Sequence, residues 1–123
     1  MIKKNSRNTA RKKKHIRIRK KLFGVSDRLR ACIFRSNNNI YIQLVNDEEG
    51  KVITGFSTLS KEFLGLSKDL KSKKERAKAF GKFVGAKVKE KNVSQIVFDR
   101  AGYKFHGKIK AVADGMREEG IKF

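Results

Sequence analysis

Gly102, Gly107 and Lys108 stand at the spacing G-x-x-x-x-G-K, with which a strand–loop–helix turn cradles nucleotide phosphates. An apolar run, Ile96 to Phe98, precedes this loop, and a helical pattern follows it. The motif's chemistry also needs a Ser or Thr after the Lys to hold Mg²⁺, and a loop whose backbone amides can wrap the phosphates. Here Ile109 replaces the hydroxyl, and the bulky Tyr103, Lys104, Phe105 and His106 fill the space between the glycines. Asp99 follows an apolar run, as a metal-holding aspartate would, but it belongs to the same strand as the loop. A second catalytic reading pairs Asp99 with His106 as acid and base, yet no nucleophile or electrophile stands with them. The pattern therefore speaks against a nucleotide hydrolase, and no enzyme activity and no cofactor are expected. A third chemistry fits the residue types. Arg100, Lys104 and Lys108 are cations for phosphates, Tyr103, Phe105 and His106 are rings to stack on bases or pack beneath the loop, and Phe105 is read as core. The start of the next helix adds its positive dipole end. Cations interleaved with aromatics suit an RNA surface.

The whole chain carries that charge. Its 123 residues have a formal net charge of +20, and residues 1–30 hold 13 basic residues against one acid, Asp27. Such a segment repels itself and seeks a polyanion. Nucleic acid fits better than an anionic membrane, because Ile16, Ile18, Leu22 and Phe23 make no broad apolar stripe. No run has the length of a membrane span, and no apolar segment follows Lys3 and Lys4 as in a signal peptide, so a cytoplasmic location is expected. The lone Cys32, in "ACIF", reads as a buried small hydrophobe. His15 and His106 have no Cys or His at metal-ligand spacing, so no metal site is expected.

The elements that position these residues follow from periodicity. Residues 1–27 read as a basic arm, disordered when free and able to become helical on RNA. Residues 28–123 read as one α/β domain. The stretch "RLRACIFRSNNNIYIQLVNDEEGKVITGFS" contains three short strands with turns at Ser36–Asn39 and Asn46–Gly50. Ile40, Ile42 and Leu44 alternate with Tyr41, Gln43 and Val45, which places Tyr41 and Gln43 on an open sheet face. In the first strand, Arg35 outward implies Cys32 and Phe34 inward. "SKKE", Ser72 to Glu75, is a capping box, and Ala77, Phe80, Val84 and Val88 form the apolar stripe of the helix it starts. Asn92 is suited to end that helix in a left-handed conformation. A fourth strand, Ile96 to Phe98, and a helix with Ile109, Val112, Ala113 and Met116 as its stripe, stopped by Gly120, complete the chain. The expected fold is a mixed four-stranded sheet with two main helices packed on it. The crossover helix is expected to make strands three and four a parallel pair.

"VFDRAGYKFHGKIKAVADGMREEGIKF" resembles the C-terminal signature of the bacterial-type eighteenth large-subunit ribosomal protein family, which binds 5S rRNA. That signature typically reads F-D-R-G-G-Y-x-Y-H-G-R-V-x-A-L-A-D-x-A-R-E-x-G-L-x-F. "RLRACIFRSNNNIYIQ", "FST" and "AKAFGKFVGAKVKEKNV" resemble further family segments, so nearly the whole chain is covered. Leu29 stands where Pro is usual, Asn38 and Asn39 where a basic residue and His are usual, Asn92 for Gly, and Phe105 for Tyr.

The resemblance implies a component of the large ribosomal subunit that binds 5S rRNA and helps attach it to 23S rRNA in the central protuberance. It implies neighbouring 5S-binding ribosomal proteins as partners. It places the 5S-facing positions in the arm, at Arg11, Lys12, Lys13, Lys14, Arg17, Arg19, Lys20 and Lys21. On the domain it places them at Arg28, Arg30, Arg35, Ser36, Asn37, Tyr41, Gln43, Ser57 and Thr58. Arg100, Tyr103, Lys104, His106 and Lys108 would face 23S rRNA or brace the fold. The residues alone also admit a nonspecific, histone-like nucleic-acid binder.

Overall fold

The structure, a computed structural model, describes residues 7–36 and 38–123. In chain order it contains α1 (Arg7–Arg19), β1 (Leu29–Arg35), β2 (Ile40–Asn46), β3 (Lys51–Ser57), α2 (Lys61–Leu66), α3 (Lys73–Glu90), β4 (Ile96–Asp99) and α4 (Lys108–Glu118). The four strands form one mixed sheet in the order β3-β2-β1-β4, the α/β arrangement expected from periodicity. β1, β2 and β3 pair antiparallel in sequence, and β4 runs parallel to β1. β4 therefore runs parallel to β3, as the crossover implies, but it lies at the opposite edge of the sheet rather than beside β3, which corrects the expected pairing. β1 is buried over Leu29, Arg30 and Ala31 and takes a neighbour on each side, with Leu29 opposite Ile96 and Ala31 opposite Phe98. β3 exposes Lys51, Val52 and Ile53 and remains an edge.

One sheet face carries Ala31, Ile33, Ile40, Ile42 and Leu44 against Phe80, Val84 and Val88 of α3 and Ile109, Val112 and Met116 of α4. The helices start and stop as their signals dictate. Ser72 Oγ accepts from the Glu75 amide at 3.0 Å, Asn92 has φ 63°, and Gly120 has φ 91°. α2 was not foreseen. Ser60 caps its start, and it buries Phe63 edge-on against Phe80, ring centroids 5.2 Å apart.

α3 and α4 cross at near backbone contact. A Cβ on Gly81 would lie 2.1 Å from the Val112 carbonyl oxygen, and one on Gly115 would lie 2.3 Å from that of Lys78. Gly81→Ala therefore wedges the helices apart. Overpacking of about 1–3 kcal/mol exceeds the helix-propensity gain of about 1 kcal/mol. Thermal unfolding should show a lower Tm; a Tm that is unchanged or raised would show that the crossing has slack.

β2 alternates as its sequence indicates, with Ile40, Ile42 and Leu44 buried, Tyr41 half-buried and Gln43 exposed. In β1 the expected faces are reversed. Ala31 and Ile33 point into the core, whereas Phe34 is 50% exposed and Cys32 is only half-buried. Phe34 pairs with Tyr41 and Cys32 with Gln43, so all four share the open face. Arg35 is exposed because it ends the strand, not because its face is wet.

Candidate nucleic-acid interface

Asp99 organises the site from inside. Its Oδ2 accepts from Arg30 at 2.6 Å and from His15 Nε2 at 2.9 Å, and its Oδ1 accepts from the Ala101 amide at 2.8 Å. A carboxylate only accepts, so His15 Nε2 carries its hydrogen. Arg30 also donates to both oxygens of Asp47, at 2.9 and 3.2 Å, and Asp47 accepts from the Gly24 amide at 2.7 Å. Arg19 reaches Asp47 at 3.4 Å. Burial alone would raise the Asp99 pKa, but hydrogen bonds from His15, Ala101 and Arg30 outweigh it and hold the carboxyl below its ordinary value. Asp47 is lowered in the same way, its burial outweighed by Arg30 and the Gly24 amide. Burial opposes the charge on Arg30 as well, and the two carboxylates more than offset it, so its pKa is raised. Each buried charge is thus compensated.

The same network brings donor atoms of His15, Cys32 and Asp99 within 4.8 Å of one another, a spacing that separation in the sequence hides. The Arg30 guanidinium already sits on Asp99 Oδ2, where a metal's charge would act, so the cluster is an ion-pair network. Burial and the nearby Asp99 charge push the Cys32 thiol pKa up, which keeps it protonated.

Docking on this network divides the cations of α1. Arg11, His15, Ile18 and Arg19 recur at helical spacing, are half-buried and face the body. Lys12, Lys13, Lys14 and Arg17 on the helix, and Lys20 and Lys21 after it, are exposed. Arg11 donates to the Ala101 carbonyl at 2.9 Å, and its guanidinium lies 4.8 Å from the Tyr103 ring centroid. Gly102, at φ 84°, lies so close to α1 that a Cβ would meet the Arg11 carbonyl oxygen at 2.1 Å.

Tyr103 joins the loop to the sheet. Its hydroxyl donates to the Arg35 carbonyl at 3.1 Å and accepts from the Arg35 amide at 3.2 Å, while the Arg35 guanidinium lies 5.3 Å from its ring centroid. A groove results, lined by Arg11, Lys14, Phe34, Arg35, Tyr103 and Lys104 among others. Beside it lies the open sheet face. Phe34 and Tyr41 stand 5.9 Å apart with planes tilted by 43°, bordered by Cys32, Ser36 and Gln43, and Ser57 is opposite Tyr41 on β3. Phe34 lines both surfaces. It was placed inward from the sequence, and the signal that would have found it is its cross-strand pairing with Tyr41.

Other expected contact residues lie differently. Arg30 is 5% and Thr58 2% exposed. Thr58 Oγ1 accepts from the Ile40 amide at 3.2 Å and donates to Asn39 at 3.0 Å. Both are internal supports, which corrects their assignment to the RNA surface. Ser36 bonds within its turn to Asn39, and Arg100 donates to the Tyr103 carbonyl at 2.8 Å. Arg28, Lys104 and His106 are exposed, and Lys108 is half-buried at the first position of α4. Phe105 is 42% exposed and touches Phe98 only edge-on, so it is not core. Asn37 lies outside the described residues.

Comparison with known proteins gives one answer. Residues 5–123 match the family described as Ribosomal L18 of archaea, bacteria, mitochondria and chloroplast. The chain is 48% identical to the large ribosomal subunit protein uL18 of Finegoldia magna over 123 residues, all of both chains. It is 46% identical to that of Thermotoga neapolitana and 47% to that of Pseudothermotoga lettingae, again over the full length of each.

Proposed function

From the premise that the chain belongs to the ribosomal L18 family, we propose that it binds 5S rRNA and helps attach it to 23S rRNA in the central protuberance, beside neighbouring 5S-binding proteins. At the coarser level it is a structural protein of the large ribosomal subunit and not an enzyme. The carrying observation is the junction of an aromatic, open sheet face with a cationic groove. Exposed lysines and arginines of α1 supply the long-range attraction and positioning on the phosphates. Phe34 and Tyr41 offer rings on which unpaired bases can stack, and Gln43 offers an amide for a base edge or ribose. The Asp99 network holds α1 and the loop at fixed positions against that face, so the charge is presented in a defined shape.

The test is binding to 5S rRNA with excess duplex DNA as competitor. The wild-type chain should retain its affinity, whereas Phe34→Ala and Tyr41→Ala should each weaken binding by about 1–3 kcal/mol, the scale of a base–aromatic stack. Because neither ring belongs to the helix-packed core, Tm should move little. Equal competition by duplex DNA would favour the histone-like reading. Unchanged affinity in both variants would remove the sheet face from the interface.

A further inference from the structure

We propose that the starts of α3 and α4, together with Asn38 ahead of β2, form a seat for a single RNA backbone phosphodiester, held by Lys73, Arg76 and Lys108. This rests on the RNA-binding reading above and adds to it a site at which Lys73 and Arg76, neither singled out from the sequence, do the holding.

The cluster of cations carries the inference. Lys73, Arg76 and Lys108 line one cleft with Asn38, and the buried Ile40 and Thr58 close its inner side. Three of the other five lysines along α3 are matched by acids. Lys78 and Lys82 bind Glu118 at 2.8 and 3.2 Å, and Lys87 binds Glu62 at 2.9 Å. Among the described residues, no carboxylate lies within 4.0 Å of the charged groups of Lys73, Arg76, Lys108 or Arg35. Burial is the first influence that lowers the Lys108 pKa, and the charges that lower it further are those of Lys73, Arg35 and Arg76. A lysine held partly out of water among other cations costs free energy in the unbound protein, and a phosphate oxygen reverses the sign of that interaction.

The backbone agrees with the side chains. Ser72 caps α3, but Gly107 at the start of α4 supplies no side-chain acceptor to the first-turn amides. Those amides and the dipole end of an 11-residue helix face a site already rich in cations. Arg76 is partly anchored by a 3.5 Å bond to the Thr58 carbonyl and by its position 6.0 Å from the Phe63 ring centroid, which leaves its remaining donors free for an anion. The P-loop-like spacing of Gly102, Gly107 and Lys108 thus delivers a lysine and a helix start to a phosphate without wrapping a nucleotide.

The probe is inorganic phosphate, titrated into the full ¹⁵N-labelled chain and into a Lys73→Gln/Lys108→Gln variant. In the wild type, amides at the start of α4, Ile109 and Lys110, should shift saturably. In the variant the apparent affinity at those amides should fall about tenfold or more, while the remaining spectrum reports an intact fold. A second arm maps ethylation interference on 5S rRNA. One phosphate, or two adjacent ones, should drop out of the pattern for the variant while the others remain. Amide shifts that fail to saturate or are equal in both chains, or interference that weakens uniformly, would overturn the seat and leave 5S binding standing. Were the chain to prefer 5S rRNA no more than duplex DNA, the 5S reading would fall, and the phosphate titration would still decide on the seat.

Discussion

Asp99→Asn should cost the folded chain about 3 kcal/mol, the lower end of the range for breaking a buried ion pair from one side. The lower end applies because Arg30 keeps both bonds to Asp47, and because Asn retains an acceptor for the Ala101 amide. What is lost is the negative charge, which is fully buried between Arg30 and His15. The pH dependence has a definite sign. The folded-state pKa values of Asp99 and Asp47 are lowered, so these groups contribute stability that is present above the unfolded carboxylate value. It is lost as pH falls through the folded values. Resistance of the wild type to urea should therefore fall as pH drops below about 4, and the Asp99→Asn curve should be flatter there. Equal stability at pH 7, or an acid limb of unchanged steepness, would show that the network is not what braces α1 and the loop against the sheet.

The same residue explains where the sequence was legible and where it was not. The period-two pattern of β2 and the stripes of α3 and α4 arise from one-sided burial, which leaves a direct trace in residue type. β1 is covered on both faces over its first half. Its second face is occupied by Arg30, paired with Asp47 and Asp99, so a charged residue sits where alternation would demand an apolar one. Nothing local marks Arg30 as buried, and Arg35, on which the expected facing of β1 rests, is a strand-end residue whose exposure carries no information about facing. The partners of Arg30 lie 17 and 69 residues away, beyond the reach of local pattern. The docking of α1 was hidden for the same reason, since His15 and Asp99 are 84 positions apart. The Tyr103 loop was ambiguous because its glycine spacing resembles a nucleotide cradle. Its shape comes from Ala101 and Gly102, both at positive φ, and from the Asp99 bond to the Ala101 amide. The family signature runs through this loop and points to the family that the full-length comparison shows, which the loop's chemistry alone does not.

Deleting residues 1–21 should separate affinity from recognition. The segment carries 11 basic residues and no acid. In the structure Lys12, Lys13, Lys14 and Arg17 are exposed on α1 while Arg11, His15 and Arg19 attach it to the body. The truncated chain keeps every strand, keeps α3 and α4, and keeps Arg30 between Asp47 and Asp99, so it should fold with a lowered Tm. Phosphate contacts release counterions and carry almost no sequence information. If about five such contacts leave with the arm, the slope of log affinity against log salt should fall by about 3.5 to 4.5, spanning the single-strand and duplex limits. Affinity at low salt should drop steeply for every RNA alike. Preference for 5S rRNA over a structured RNA of similar length should persist, because Phe34, Tyr41 and Gln43 remain on an intact sheet face, bordered by Arg35 and Tyr103. A salt titration of full-length and truncated chains against both RNAs decides the matter. If the folded truncated chain loses its preference, shape is read by α1 and the groove it forms, and the sheet face only supports it.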